Sequence, residues 1–184
     1  AIFRDEVKLV NPKFVLTADT LGYNTETYQS DIVGPTTILY DEETTILSTN
    51  GWYNTQTELS MLLDRSRIIH VDGITLTGDT IYYDKANGYG RSLGNIESTD
   101  STNHMTLYGN VSEVWEDGGR GYVTDSAMLL DWSDSTAFTY MHADTLWTEE
   151  ISYPIFTLKM RDSLLVDSVM VAQNPDTIWR DTTY

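Results

Sequence analysis

The chain has 184 residues, with Lys+Arg 11 against Asp+Glu 28 for a formal net charge of −17, 40% hydrophobic residues and no cysteine. That charge repels nucleic-acid phosphates and anionic membrane surfaces, and the missing cysteine excludes disulfide frameworks, thiolate zinc sites and cysteine nucleophiles. With Tyr 12 and Trp 5 there is enough apolar surface to order one domain or one elongated stack of repeats.

The acidic residues are scattered through Thr- and Ser-rich stretches such as Asp131-Trp132-Ser133-Asp134-Ser135, as on solvated strand faces and turns. Runs such as Ala127-Met128-Leu129-Leu130 fall far short of the roughly 20 apolar residues of a spanning helix, so no membrane-spanning segment is expected. Ala1 follows no initiator Met and opens no signal-peptide pattern; both ends are expected to be cut from something longer.

Taken in chain order, β-branched and aromatic residues dominate and helical periodicity is weak, so strands are the default. Thr57 to Ser66 holds Leu59, Leu62 and Leu63 at helical spacing, but Leu59, Met61 and Leu63 also alternate; flanked by extended segments, it is assigned to a strand. Ile68-Ile69-His70-Val71 and Ile74-Thr75-Leu76-Thr77 read as a hairpin turning at Asp72-Gly73. From Met105 to Trp115, Met105, Leu107, Gly109 and Val111 are expected on one pleat face, with Thr106, Tyr108, Asn110 and Ser112 on the other. Glu116-Asp117-Gly118-Gly119 reverses the chain into Tyr122-Val123-Thr124. From Tyr153 to Tyr184 two or three further strands are expected, bounded by Pro154 and Pro175.

Two short units recur. Thr17-Ala18-Asp19-Thr20-Leu21, Thr77-Gly78-Asp79-Thr80-Ile81, Thr124-Asp125-Ser126-Ala127-Met128 and His142-Ala143-Asp144-Thr145-Leu146 each place Asp before an apolar strand residue, with Thr49-Asn50-Gly51-Trp52 a weaker copy. Leu93-Gly94-Asn95-Ile96 and Tyr108-Gly109-Asn110-Val111 form the second unit. The spacing of the first unit is too uneven for a leucine-rich or hexapeptide solenoid and suits hairpins with variable loops. Its Asp is expected to bond a backbone N–H two residues on, turning the chain while Thr starts the next strand. Ala18, Gly78 and Ala143 permit close backbone approach there, and a kink shifting the pleat by one residue puts Leu76 and Ile81 on one side despite their odd separation.

Together the small-Asp-Thr-apolar and Gly-Asn-Ile/Val units resemble the OstA-like (LptA-like) family of lipopolysaccharide-transport proteins, above all long Bacteroidetes-type versions. The resemblance covers about residues 14 to 149 and is carried by Leu76-Thr77-Gly78-Asp79-Thr80-Ile81-Tyr82-Tyr83-Asp84, Leu107-Tyr108-Gly109-Asn110-Val111 and His142-Ala143-Asp144-Thr145-Leu146. It implies an all-β fold, a twisted open β-jellyroll (β-taco) of stacked antiparallel strands over 1–150, with 151–184 capping it or starting a further repeat. It further implies a periplasmic, outer-membrane-associated location, lipopolysaccharide or lipid A as ligand, edge-to-edge joining with similar β-jellyroll domains, and no cofactor, metal or catalysis. The lining expected on this resemblance is Leu16, Leu21, Tyr23, Ile38, Met61, Leu63, Ile69, Val71, Ile74, Leu76, Ile81, Tyr83, Leu107 and Val111.

Other chemistry has little to stand on. His70, His104 and His142 have no short ligand spacing. Asp117-Gly118-Gly119-Arg120-Gly121 lacks the iteration of a calcium-binding nonapeptide and reads as a turn. Gly88-Tyr89-Gly90-Arg91 has no helix to follow and reads as a mobile loop rather than a phosphate cradle. No serine elbow, P-loop or dinucleotide fingerprint occurs. Trp52, Tyr53, Tyr82, Tyr83, Trp115 and Trp132 support a competing view, a carbohydrate-binding or adhesin-like module; a β-helix polysaccharide lyase is a third.

Overall fold

The computed structural model describes residues 1–149 together with 167–168 and 181–182. The chain divides into two units, Ala1–Glu149 and Glu150–Tyr184. The first is built from β1 (Ile2–Val10), β2 (Phe14–Asn24), β3 (Gln29–Tyr40), β4 (Thr44–Asn54), β5 (Leu59–Leu63), β6 (Ser66–His70), β7 (Ile74–Gly78), β8 (Thr80–Asp84), β9 (Tyr89–Asp100), β10 (Met105–Trp115), β11 (Arg120–Asp131) and β12 (Thr139–Glu149). All twelve join one antiparallel sheet. In the second unit β13 (Asp167–Ser168) pairs with β14 (Asp181–Thr182); the rest of the expected C-terminal strands lie outside the described residues.

The turns between strands follow from side chains that bond their own backbone. Asn24 Oδ1 accepts from the N–H groups of Glu26 and Thr27, and Asn54 Oδ1 from those of Gln56 and Thr57. Asp84 and Asp100 close their turns in the same way on Asn87 and on Thr102 and Asn103, an Asx-turn chemistry. The strand at Leu59–Leu63, the hairpin turning through Asp72-Gly73 and the reversal at Glu116–Gly119 stand as the sequence predicts. Gly88-Tyr89-Gly90-Arg91 is not a loop. Gly88 takes a left-handed φ of 56° to cap the short 3-10 turn Lys85–Asn87, and Tyr89 starts β9, where Gly90 is buried against Val114.

Midway along every long strand the pleat breaks. Register shifts fall between Ala18 and Thr20, Val33 and Thr36, Gly109 and Val111, and Thr124 and Ala127. Positive φ occurs at Asp5, Glu6, Gly34, Gly51, Asp64, Arg65, Gly94, Asn95, Asp125 and Ser126. At Asp64-Arg65 and Asp79 the interruption is complete: β4 pairs with β5 through one half and β6 through the other, and β9 likewise with β8 and β7. The breaks align across the sheet as a seam, which divides it into a first arm (Phe14, Ile38, Ile46, Ile68, Leu76) and a second arm (Leu21, Ile32, Leu62, Ile81).

The recurring Asp and Asn residues sit on this seam, but the expected Asx bonding does not occur there. Three of the amides and Asp79 bond across to neighbouring strands instead: Asn50 Nδ2 donates to Asp64 (2.9 Å), Asn95 Nδ2 to Asp79 (2.6 Å) and Asn110 Nδ2 to the Asp125 carbonyl (3.3 Å). Arg65 adds a bond to the Asn95 carbonyl and an ion pair with Asp79. The physical reason is register: aligned breaks put seam residues of adjacent strands side by side, so cross-strand partners are nearer than the local backbone. The uneven spacing is corrected too. Once Asp5, Gly34, Asp64, Gly94 and Asn110 are counted, the seam recurs every 14 to 16 residues through Asp125, once per strand.

A seam that shifts the pleat brings both arms' apolar residues to one side. Phe14, Leu16, Ala18 and Ile38 of the first arm share a buried cluster with Leu21, Ile32, Leu62 and Ile81 of the second, and Leu76 packs against it. Leu76 and Ile81 therefore do face one side, as their odd separation with an intervening kink predicts. The sheet also curls over. Phe14 and Tyr53 lie at opposite ends of their strands, roughly 30 Å apart along extended backbone, yet their rings meet edge to face at 5.6 Å.

Across the pairs Leu16↔Ile38, Ile38↔Ile46, Ile46↔Ile68 and Ile68↔Leu76 an inner row runs on through Ser98 and Leu107 to Leu129 and Met141. A parallel row in the second arm is Leu21, Ile32, Gly51, Leu62, Ile81, Ser92, Ser112, Val123 and Leu146. Leu62, 4% exposed, and Leu63 therefore point to opposite faces. Leu62→Ala is expected to cost about 2–5 kcal/mol of stability, the usual range for truncating a buried leucine. Leu63→Ala is expected to cost less than half as much, and urea denaturation followed by tryptophan fluorescence compares the two.

Candidate functional site

The inner face of the sheet is the place to look for the expected apolar lining, and the expected residues divide on it. Leu16, Leu21, Ile38 and Ile81 are buried in the core cluster, with Leu76 packed against it. Tyr23 and Tyr83 share the inner side of the second arm, two residues beyond Leu21 and Ile81. Leu107 lies on the inner row, half-buried. Ile74 has inner parity but sits at the strand ends, 46% exposed.

The other expected residues are not brought to that side. Met61 and Leu63 flank the inward Leu62, and Ile69 follows the inward Ile68, so all three point outward. Val71 lies in the hairpin turn, 67% exposed. Val111 was expected to share the face of Leu107, but the irregularity between Gly109 and Val111 flips the phase. Ser112, paired with the buried Ser92, is the inward residue instead. The Gly-Asn corners shift the pleat as the Asp-Thr corners do.

Sequence reasoning missed Ile32, Leu62 and Ile96, all buried. A 30-residue period links Ile32 to Leu62, while Ile96 stands where the same period has Thr36 and Ser66 and gives no such signal. Leu16, Ile46 and Leu76 are equivalent, as are Leu21, Gly51 and Ile81, Ile32, Leu62 and Ser92, and Tyr23, Tyr53 and Tyr83.

Along the inner face the environment changes. Leu16, Leu21, Ile32 and Ile81 are no more than 2% exposed, so the stretch from β2 to β8 is filled by its own side chains. Towards β12 the inner row opens: Leu107 and Leu129 are half-buried and Met141 is 52% exposed. Two concave grooves border the seam instead, one by Glu6, Lys8, Asp19, Thr37, Asp64 and Arg65, the other by Thr124, Asp125, His142 and Asp144. None of the residues expected to line a lipid site borders either.

Opposite strand ends meet over the filled stretch. Lys13 Nζ donates to Glu58 at 2.7 Å, and Lys85 bonds the Tyr40 hydroxyl, pairs with Asp41 and lies over the Tyr40 ring. The hydrogen bond from Lys13 holds the Glu58 carboxyl below its usual range, and that same bond raises Lys13. Exposed pairs of this kind add little stability, whereas each buried Leu or Ile contributes about 1.5–3 kcal/mol; the core holds the arms together and the ion pairs align their ends. Beneath them the phenol of Tyr53, half-buried, is pushed to about 12 by desolvation first and by the Glu58 charge second. Burial, then the hydrogen bond it donates to Glu116, raises Tyr83 as well.

The aromatic residues of the competing view separate likewise. Tyr53 and Tyr83 face inward, while Trp52 and Tyr82, paired in register with Met61, face outward with it. Trp115 joins Tyr82 on an outer stripe. Trp132 belongs to the opposite strand ends, its ring against His104 and its Nε1 donating to Thr106. His70, His104 and His142 remain apart, and among the described residues no three His, Asp or Glu side chains are grouped to hold a metal ion. Among the same residues no helix is long and apolar enough to cross a membrane. No protein-family model matches the chain, and no curated protein matches it.

The raised tyrosines set an alkaline limit. A phenol whose folded-state value lies above its unfolded value of 10.0 contributes stability present in full below pH 10 and lost as pH rises through the folded value. The melting temperature of the protein is therefore expected to fall between pH 10 and 12, and the fall is expected to be shallower in Tyr53→Phe. Circular dichroism melts at pH 8, 10 and 11.5 measure it; parallel curves for the two proteins would refute the assignment.

Proposed function

We propose that the chain is a non-catalytic, lipid-binding module of an OstA-like lipopolysaccharide-transport scaffold, with the seam-folded sheet acting as a twisted β-jellyroll of the taco type. The observation that carries this is the inner row of the first arm. From Leu16 and Ile38 through Ile46, Ile68, Leu76 and Leu107 to Leu129 and Met141 it stays apolar except at Ser98, while its exposure rises from 1% at Leu16 to 52% at Met141. A closed structural core has no use for an apolar face that continues beyond the point where it is covered. An acyl chain laid against it gains about 0.8 kcal/mol per buried CH2.

The position of the filled core confines the ligand. Alkyl chains belong between β9 and β12, on Leu107, Leu129, Met141 and Leu146, whereas Leu16, Leu21, Ile38 and Ile81 serve as the plug that ends the groove. Leu76 stands at the boundary. In this role the module works in the periplasm beside the outer membrane. β1 and β12, the outermost strands of the sheet among the described residues and exposed over most of their length, offer backbone to similar β-jellyroll domains. Such a scaffold needs no cofactor and performs no covalent step.

Photo-crosslinking separates this role from a purely structural one. A benzophenone side chain at Leu129 or Met141 is expected to capture lipopolysaccharide, and the same probe at the sealed Leu21 is expected to capture none. Absence of capture at Leu129 and Met141, under conditions where an established lipopolysaccharide transporter is labelled, refutes it.

A further inference from the structure

The outer face carries a second feature that lipid binding does not use. Tyr82, Tyr89, Trp115, Tyr122 and Trp147 contribute one ring from each of five consecutive sheet strands, β8 to β12, with successive centroids 6.3, 5.8, 6.0 and 5.0 Å apart. Their side follows from the pairs Tyr82↔Arg91, Arg91↔Glu113, Glu113↔Tyr122 and Tyr122↔Trp147, which form the row next to the inward Ile81, Ser92, Ser112 and Val123. Four strand spacings make the stripe about 19 Å long. Among the described residues its last ring is Trp147, 71% exposed.

Cross-strand packing brings the rings together, and the polar pair set among them gives the stripe hydrogen-bonding groups that the rings lack. Glu113 and Arg91 are cross-strand neighbours with 3.6 Å between Glu113 Oε1 and Arg91 Nε. The Glu113 carboxylate also lies close enough to Tyr89 and Tyr122 to add to the desolvation that raises both phenols. A stripe of flat apolar faces with a carboxylate and a guanidinium in its middle matches a ligand whose faces are C–H and whose edges are hydroxyls. The rings take the faces and Glu113 and Arg91 the hydroxyl edges. A purely apolar partner would leave Glu113 and Arg91 desolvated without new hydrogen bonds. Nucleic-acid bases and acidic polysaccharides would meet the repulsion of a chain with net charge −17.

We infer that this stripe is a binding site for a neutral glycan chain, with Trp115, Tyr122 and Trp147 stacking on successive pyranose faces and Glu113 and Arg91 bonding their hydroxyls. It is a site separate from the interior and stands whether or not the interior takes lipid.

Affinity electrophoresis of the full chain through gels containing soluble β-glucan, xylan or mannan, with polygalacturonate as the acidic counterpart, tests it. Retardation is expected in at least one neutral gel and none in polygalacturonate. Titrating the retarding polymer against intrinsic fluorescence, Trp147→Ala is expected to weaken binding at least tenfold and Glu113→Gln several-fold. Trp132→Ala, at the opposite strand ends, is expected to bind as the parent does. Because Trp147 is largely exposed, its loss leaves the fold intact, which an unchanged melting temperature verifies. No retardation in any neutral gel overturns the inference, as does equal binding by Trp147→Ala or stronger retention by the acidic polymer.

Discussion

A break of the pleat at one level of every strand is the constraint on which this structure rests. Without it, Leu16 and Leu21 would lie on opposite sides of β2 and no common core would exist for the two arms. Left-handed backbone at a non-glycine residue costs roughly 1–2 kcal/mol, and the seam imposes it at Asp64, Arg65, Asn95, Asp125 and Ser126. Asp and Asn tolerate it best, and the bonds between Asn50 and Asp64 and between Asn95 and Asp79 tie the breaks of neighbouring strands to one level. The core gained is larger than the strain, since a single buried leucine or isoleucine offsets about one such residue.

Small side chains let the arms approach beside the seam. Ala18, Thr36, Ser48, Ser66 and Gly78 follow one another across the sheet immediately inside it, and all are buried. The buried Ser48 and Ser66 satisfy each other through a 2.8 Å hydrogen bond, so they fill the narrow part of the fold without stranding a polar atom. Further from the seam larger residues take over: Leu, Ile and Phe in the first arm, Leu, Ile and Tyr in the second. The interior is thus narrow at the seam and wide towards the strand ends, where Phe14 meets Tyr53.

Much of this was written plainly in the sequence, and the rest was obscured for identifiable reasons. Strand identity and turn positions were legible because alternation and Asx chemistry are local: Leu59–Leu63, the Asp72-Gly73 turn and the strand Met105–Trp115 needed no tertiary knowledge. The recurring Asp and Gly-Asn units also marked the right places. Their bonding was not legible, because a side chain's nearest partner at Asp79 is Asn95 on another strand, 16 residues away. The phase of the pleat beyond each corner was equally hidden; one residue of slip sends Val111 outward and Ser112 inward. The 30-residue period is faint in the sequence because several equivalent positions hold chemically different residues, as with Leu21, Gly51 and Ile81. Gly51 stands in that series because its φ is 143° and a Cβ there would fall 2.3 Å from the Met61 carbonyl oxygen. Leu16, Ile46 and Leu76, Tyr23, Tyr53 and Tyr83, and the turn residues Asn24, Asn54 and Asp84 keep the period. Five aromatic residues scattered from Tyr82 to Trp147 likewise give no sign in one dimension that they form a single line.

The contacts between opposite strand ends have a consequence for how this architecture changes length. Lys13 meets Glu58, and Tyr40 meets Lys85, each time three strands further along the sheet, when β5 with β6 and β7 with β8 are each counted as one. The ribbon is therefore wound like a helical staircase with a fixed step. Gaining or losing a whole hairpin leaves every later strand running in its former direction and every later turn opposite an equivalent one. Gaining or losing a single strand would invert the direction of everything downstream and set each turn against the wrong landing. Gene duplication and deletion can thus lengthen or shorten such a molecule only in double strands, and descendants of one ancestor should differ in length by multiples of that quantum.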